Sequence, residues 1–409
     1  MKFIFIISFI FLVDIYYYLG VSSVFSSSSS HSFFKFFYWI FSLFIYFSVI
    51  YVILNYDKLT PTVNNNSRII LTSIIFISFI SKFIGVFPLI LDDLLRFFRL
   101  VFNLFNNSGD KHSVGRLEFL KKSSLIVSSI IFSTFLLGMK FGRFNFKKNF
   151  QNIYINKWPI QLSGYKIIHI SDLHLGSFNV EKLEVVVKMI NEENPDLVVF
   201  TGDLINNYYF EALPFIDTLK KIKAKDGKFS ILGNHDYGDY TGLKRSSQEW
   251  KDNFSKLVKI HQDSGFELLL NESKVIKKNH NKFNIIGVEN WGAGNFNKDG
   301  DLNVSMEGVD DSLPSILLSH DPSHWSEQVL KSKYNIDLQL SGHTHGMQFG
   351  IELPNFKWSP VKYRYKQWAG LYSINDKQIY VNRGIGHLGY AGRVGIMPDI
   401  SILNISPNA

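Results

Sequence analysis

The chain has 409 residues, a formal net charge of +8 and no cysteine, so disulfides, thiolate metal sites and a Cys nucleophile are all excluded. The positive charge is uneven. Residues 1–150 carry 15 Lys+Arg against 6 Asp+Glu, and the remainder carries 28 against 29. A near-neutral C-terminal part argues against nucleic acid as its partner, since phosphate backbones attract concentrated basic surface.

Four apolar segments come first, at residues 3–25, 33–54, 69–91 and 123–141. A helix needs about 20 mostly apolar residues to cross the hydrocarbon core. These segments therefore predict four transmembrane helices in a membrane part spanning 1–150. Residues 26–32, 57–68 and 92–122 read as solvated loops. Within the last of these, 94–105 is apolar with Arg96 and Arg99, the pattern of an interfacial amphipathic helix or of the third span's end. Asp14 and Lys82 fall inside spans and are expected near an interface or snorkelling. Four spans put both termini on one side. The loops balance seven basic residues against seven, so the positive-inside rule does not orient this multi-pass cell-membrane protein.

Residues 151–409 alternate short β-rich runs with helical patterns, a mixed β/α layer arrangement. The run at 165–170 leads into Ser-Asp-Leu-His, so Asp172 and His174 stand two apart. Residues i and i+2 of an extended chain point the same way. Helical patterns follow at 180–194, 211–223 and 248–264, and strands are expected at 266–270, 283–288, 379–381 and 400–405. Four more apolar runs end in chemistry: 197–201 in Gly202-Asp203, 229–232 in Gly233-Asn234-His235-Asp236, 316–319 in His320, and 336–341 in Gly342-His343-Thr344-His345. Open α/β sheets put ligand sites at the carboxyl ends of their strands. Asp, Asn and His ligands suit Mn, Fe or Zn. Seven candidates exceed the four of a closed structural zinc site, and fit two metals sharing a carboxylate.

Asp-x-His, Gly-Asp, Gly-Asn-His-Asp, a lone His and Gly-His-Thr-His, in this order, resemble the calcineurin-like metallophosphoesterases, and among them the bacterial membrane-associated YkuE-type subgroup. The resemblance spans roughly residues 157–405. It implies a four-layer αββα sandwich with two divalent metal ions at the sheet edge. Asp172, His174 and His345 would hold one ion, Asn234, His320 and His343 the other, and Asp203 would bridge them. The implied function is hydrolysis of a phosphoester or diphosphate bond by metal-activated hydroxide. Some relatives act on lipid-linked substrates, which a membrane anchor suits, and exported single-anchor relatives tilt the expectation toward an extracytoplasmic catalytic domain. His235 would assist the leaving group, with Asp236 orienting it. Gly202, Gly233 and Gly342 would free the ligands to turn inward. His169, His261, His324 and His387 read as structural, and Arg383 and Arg393 as packing or surface groups. A receptor or scaffold without catalysis is the alternative, and it predicts lost ligands. A transporter would need more buried charge than Asp14 and Lys82. A protein phosphatase would carry Gly where Ser171 and Leu175 stand.

Overall fold

The computed structural model describes residues 2–25, 27–55, 67–105, 117–354 and 356–408, in two compact units. The first holds four helices, α1 (Lys2–Val21), α2 (Ser28–Leu54), α3 (Ser67–Phe105) and α4 (Glu118–Leu137). All four are long and apolar enough to cross a membrane. Ser27 caps α2, its side chain accepting from the Ser30 N–H at 3.1 Å, so most of the serine run belongs to the helix rather than to a loop. The segment 94–105 continues α3 without a break, past Pro88. The expected loops at 57–68 and 92–122 otherwise lie largely outside the described residues.

Asp14 and Lys82 do not snorkel. Lys82 Nζ lies 2.5 Å from Asp14 Oδ1 and 3.0 Å from Ser42 Oγ, and the Tyr38 and Tyr46 hydroxyls donate to the same carboxylate. Charge taken out of water must find a partner. Three helices supply the groups here, and this knot ties α1, α2 and α3 together.

The second unit is built on two six-stranded sheets. Its elements are β1 (Lys147–Ile155), β2 (Tyr165–Ile170), α5 (Val180–Glu192), β3 (Leu197–Phe200), α6 (Ile216–Lys220), β4 (Lys228–Ser230), α7 (Gln248–Asp263) and β5 (Glu267–Leu268). Then come β6 (Glu272–Lys278), β7 (Asn281–Gly287), α8 (Leu302–Ser305), β8 (Ser315–Leu318), α9 (Ser323–Glu327) and β9 (Leu338–Ser341). The chain closes with β10 (Ile351–Leu353), β11 (Phe356–Trp358), β12 (Gly370–Ile374), β13 (Lys377–Val381) and β14 (Asp399–Pro407). One sheet runs β1-β14-β2-β3-β4-β5 and the other β12-β13-β9-β8-β7-β6. The steps β2-β3-β4-β5 and β7-β8-β9 are parallel, as helical crossovers require.

Three apolar layers hold the sheets and helices together. Ile167, Val199 and Phe229 of the first sheet meet Ile285, Ile316 and Leu340 of the second between the sheets. Val186, Ile190 and Leu257 cover the outer face of the first sheet, and Trp325 and Val329 that of the second. Every residue of β3, β8 and β9 is buried, which explains their continuous apolar runs. The architecture is the αββα sandwich.

The helix expected at 211–223 is cut to five-residue α6 preceded by tight turns. Pro214 opens the second turn, and the Glu211 carboxylate accepts the N–H groups of Asn206, Asn207 and Tyr208. The carboxylate pins the segment to the loop before it, and Pro214 lacks the backbone N–H that a continuous helix would use there.

Candidate metal centre

The C-terminal ends of β2, β3, β4, β8 and β9 converge on one edge of the sandwich. Asp172, His174 and His345 form one group of ligand atoms within 4.8 Å of one another, and Asp203, His320 and His343 form a second. His345 Nε2 lies 3.2 Å from Asp172 Oδ1 and 3.1 Å from His174 Nε2. In the second group His343 Nδ1 lies 3.2 Å from His320 Nε2 and 2.8 Å from Asn234 Oδ1. Asp203 Oδ2 faces both groups, 3.6 Å from His174 Nε2 and 3.2 Å from His320 Nε2. The seven residues expected from the sequence stand together.

The inward nitrogens are set by bonds on the far side of each ring. His174 Nδ1 donates to Asn206 Oδ1 at 3.0 Å and His320 Nδ1 to the Thr201 carbonyl at 2.7 Å. Each such bond fixes the tautomer and turns the Nε2 lone pair inward. Tyr365 Oη sits 2.8 Å from His343 Nε2, with Asp321 Oδ2 3.5 Å from that nitrogen.

The backbone is bent to achieve this. Asp172, His174, Asp203, His343 and His345 have φ between 47° and 70°, the left-handed region that side-chain-bearing residues rarely adopt. Five strained residues in three turns at one edge mark a functional site. Gly202 shares that conformation with φ 92°, but Gly233 and Gly342 are glycines for a different reason. A Cβ at Gly342 would lie 2.3 Å from Asp172 Oδ2, and one at Gly233 would lie 2.3 Å from Asp203 Oδ1.

The electrostatics suit cations. Burial opposes charge on Asp172 and Asp203, but the surrounding histidines outweigh it and hold both carboxyls low. Burial keeps His174 and His343 below the ordinary imidazole value, so their neutral, ligating forms dominate. At His320 the burial cost is overcome by the Asp203 carboxylate, which raises the ring to about 10, so its Nε2 carries a proton that a cation bound there would have to displace. Carboxylates, an amide oxygen and imidazole nitrogens converging without a basic side chain among them fit divalent transition metals.

His235 is only partly buried and outside both groups. Its Nδ1 donates to the Asn206 carbonyl at 2.8 Å, and its ring lies 4.5 Å from that of Tyr240 and 4.9 Å from His174, edge to face. Asp236 corrects one expectation. It does not orient His235, a task the Asn206 carbonyl performs. The Asp236 carboxylate accepts the N–H groups of Asp203, Leu204, Ile205 and Gly233 at 2.8 to 3.3 Å, stapling the Gly-Asp loop to the Gly-Asn-His-Asp loop. Burial and the Asp203 charge push its carboxyl up to about 7 against those donors.

Arg383 is ion-paired with Glu352 and Asp399, and buried Arg393 donates to the carbonyls of Arg383, His345, Gly384 and Gly386. His169, His261 and His324 bond Thr201, Ser230 and Ser319. Sequence reasoning missed Tyr240, Asp321 and Tyr365. Only Asp321 gave a signal, as the residue after His320. Tyr240 accepts from Asn234 Nδ2 at 2.7 Å.

Comparison with known proteins agrees. A family described as Calcineurin-like phosphoesterase matches residues 165–347, and one described as Probable Calcineurin-like phosphoesterase, transmembrane domain, matches 1–143. The uncharacterized metallophosphoesterase YkuE of Bacillus subtilis (strain 168) is 34% identical over 256 residues, covering 60% of this chain and 81% of that protein. A transmembrane protein with metallophosphoesterase domain from Danio rerio is 30% identical, covering 60% of this chain and 54% of its own. The UDP-2,3-diacylglucosamine pyrophosphatase LpxG of Chlamydia muridarum (strain MoPn / Nigg) is 29% identical, covering 55% and 79%. With four membrane-length helices ahead of this site, the chain is a membrane protein and belongs to the calcineurin-like phosphoesterases, hydrolases of phosphate esters, in the bacterial membrane-associated subgroup that includes YkuE.

Proposed function

We propose that the chain is a dinuclear phosphoesterase of the cell membrane, with a membrane part at 1–150 and a hydrolase at 151–409, acting on a phosphoester or diphosphate bond of a lipid-linked substrate. The observation that carries the dinuclear reading is Asp203 Oδ2, one oxygen facing ligand nitrogens of both groups. Asp172, His174 and His345 would hold one ion and Asn234, His320 and His343 the other, and Asp203 would be shared by both. Two bound cations supply charge against the phosphoryl oxygens and a strong nucleophile at neutral pH.

The chain's own groups do the rest. Asn206 and Thr201 orient His174 and His320. Asp236 keeps Asp203 in register with Asn234 by holding both loops by their amides. His235 has Nδ1 committed to the Asn206 carbonyl, so in its protonated form the Nε2–H is the proton it can give to a departing oxygen. LpxG, whose name states a lipid diphosphate substrate, supports the lipid-linked reading.

The test is hydrolysis by the purified full-length protein loaded with Mn²⁺, Zn²⁺ or Fe²⁺. Phosphomonoesters, phosphodiesters and nucleoside-diphosphate lipids are compared. The expected result is the highest kcat/KM on a nucleoside-diphosphate lipid. Preference for a soluble monoester would remove the lipid-linked part, and no hydrolysis of any class by metal-loaded protein would remove the enzymatic reading.

A further inference from the structure

The hairpin β10–β11 belongs to neither six-stranded sheet. Its register sets Ile351 opposite Trp358, Glu352 opposite Lys357 and Leu353 opposite Phe356. Side chains alternate along a strand, and directly opposed residues share a face. Glu352 and Lys357 therefore occupy one face, and the four apolar residues occupy the other.

The faces are turned the opposite way from the usual hairpin, which buries its apolar side. Glu352 is ion-paired with Arg383, whose Nη1 also lies 2.8 Å from Asp399 Oδ2. Lys357 Nζ donates to the Ala369 carbonyl and lies 4.6 Å over the Tyr372 ring. The charged face is thus tied to the hydrolase unit, while Ile351, Leu353 and Phe356 stay 47%, 60% and 54% exposed. Apolar residues exposed one at a time are ordinary on a protein surface. Here they share one face, and the opposite face is held by bonds that fix the orientation.

The following turn adds charge. Residues 356–366 contain four basic side chains and no acidic one. Lys362, Arg364 and Lys366 are exposed, and Tyr363 between them is 77% exposed. Apolar and aromatic side chains bordered by Lys and Arg suit the interface of an anionic bilayer. The chain's own candidate spans keep it at a bilayer. A second copy fits worse, because a two-fold contact would set these like charges against themselves. Tyr365 of the same turn bonds His343.

We propose that the hairpin and the turn after it form a docking surface for an anionic lipid bilayer. The exposed apolar and basic side chains that carry it are distinct from the seven candidate ligands, although Tyr365 of the turn touches one of them. Its use, meeting a lipid-linked substrate at the bilayer surface, rests on the phosphoesterase reading.

The sequence has no cysteine, so a single Leu353→Cys can be labelled alone with an environment-sensitive fluorophore in the full-length protein. The protein is placed in phosphatidylcholine vesicles with or without phosphatidylglycerol, and a label at Lys251→Cys on α7 is the aqueous control. With phosphatidylglycerol, the emission at 353 should shift to the blue and iodide quenching should fall several-fold, while the control stays quenched. Lys362→Glu with Lys366→Glu should restore quenching at 353. Phe356→Cys is the second probe position should Leu353→Cys fail to fold. Equal quenching at 353 and 251 in both lipids would overturn the proposal. So would shielding that ignores lipid composition and disappears on dilution of the protein, which would mark a second copy as the occupant. Hydrolysis of bis(nitrophenyl) phosphate by the unlabelled protein is measured alongside. Its absence counts against the phosphoesterase reading, whereas equal quenching counts against docking.

Discussion

Asp203→Asn should abolish metal retention and hydrolysis together. Asp203 Oδ2 lies 3.2 Å from His320 Nε2 and 3.6 Å from His174 Nε2, and Oδ1 accepts the His235 N–H at 2.9 Å. An amide cannot satisfy this geometry. If its oxygen keeps the bond to His235, its NH₂ faces two imidazole nitrogens and two incoming cations. The swap also removes a negative charge from a buried site. Outer-shell partners of a metal cost about 10–100-fold in affinity or activity when mutated, and a shared ligand in both groups should cost more. Metal content and kcat measured on the same preparation check this. Retained metal with retained activity would show that Asp203 is not shared.

His235→Gln should separate chemistry from metal binding. Every ligand atom of both groups remains, and the ring's contacts are to Tyr240, to the edge of His174 and to the Asn206 carbonyl. Metal content should therefore be unchanged. General acid catalysis is worth about 10²–10⁴-fold, so kcat should fall by that order on esters with a basic leaving group. Nitrophenolate departs without a proton, so the loss on nitrophenyl esters should be small. Equal losses on both substrates would point to a positioning role, and loss of metal would make His235 a ligand.

The gathering of the seven candidate ligand residues was legible in the sequence because each follows a buried parallel strand. An apolar run followed by Asp, Asn or His, five times over, places polar ligands where sheet strands end, which scattered core residues would not do. The structure sets those runs in two sheets whose carboxyl ends face one edge. The role of Asp236 was not legible. A carboxylate beside a histidine suggests a pair, yet the loop turns Asp236 toward backbone amides of the neighbouring Gly-Asp loop and of Gly233. Tyr365 and Tyr240 were hidden because loops bring them to His343 and Asn234 without periodicity to announce it. Asp14 and Lys82 were visible as charges, but their pairing across 68 residues is set by helix packing, which the hydropathy pattern does not encode. The outward apolar face of β10–β11 escaped as well. Alternation in so short a strand says which residues share a face, not which face meets water.

The converging side chains are expected to hold two ions. Full-length protein loaded with Mn²⁺, freed of excess metal and analysed for metal against protein concentration tests this most directly. Two equivalents per chain, falling in the Asp203→Asn variant, is the expected result. A firm value of zero for folded protein would contradict it.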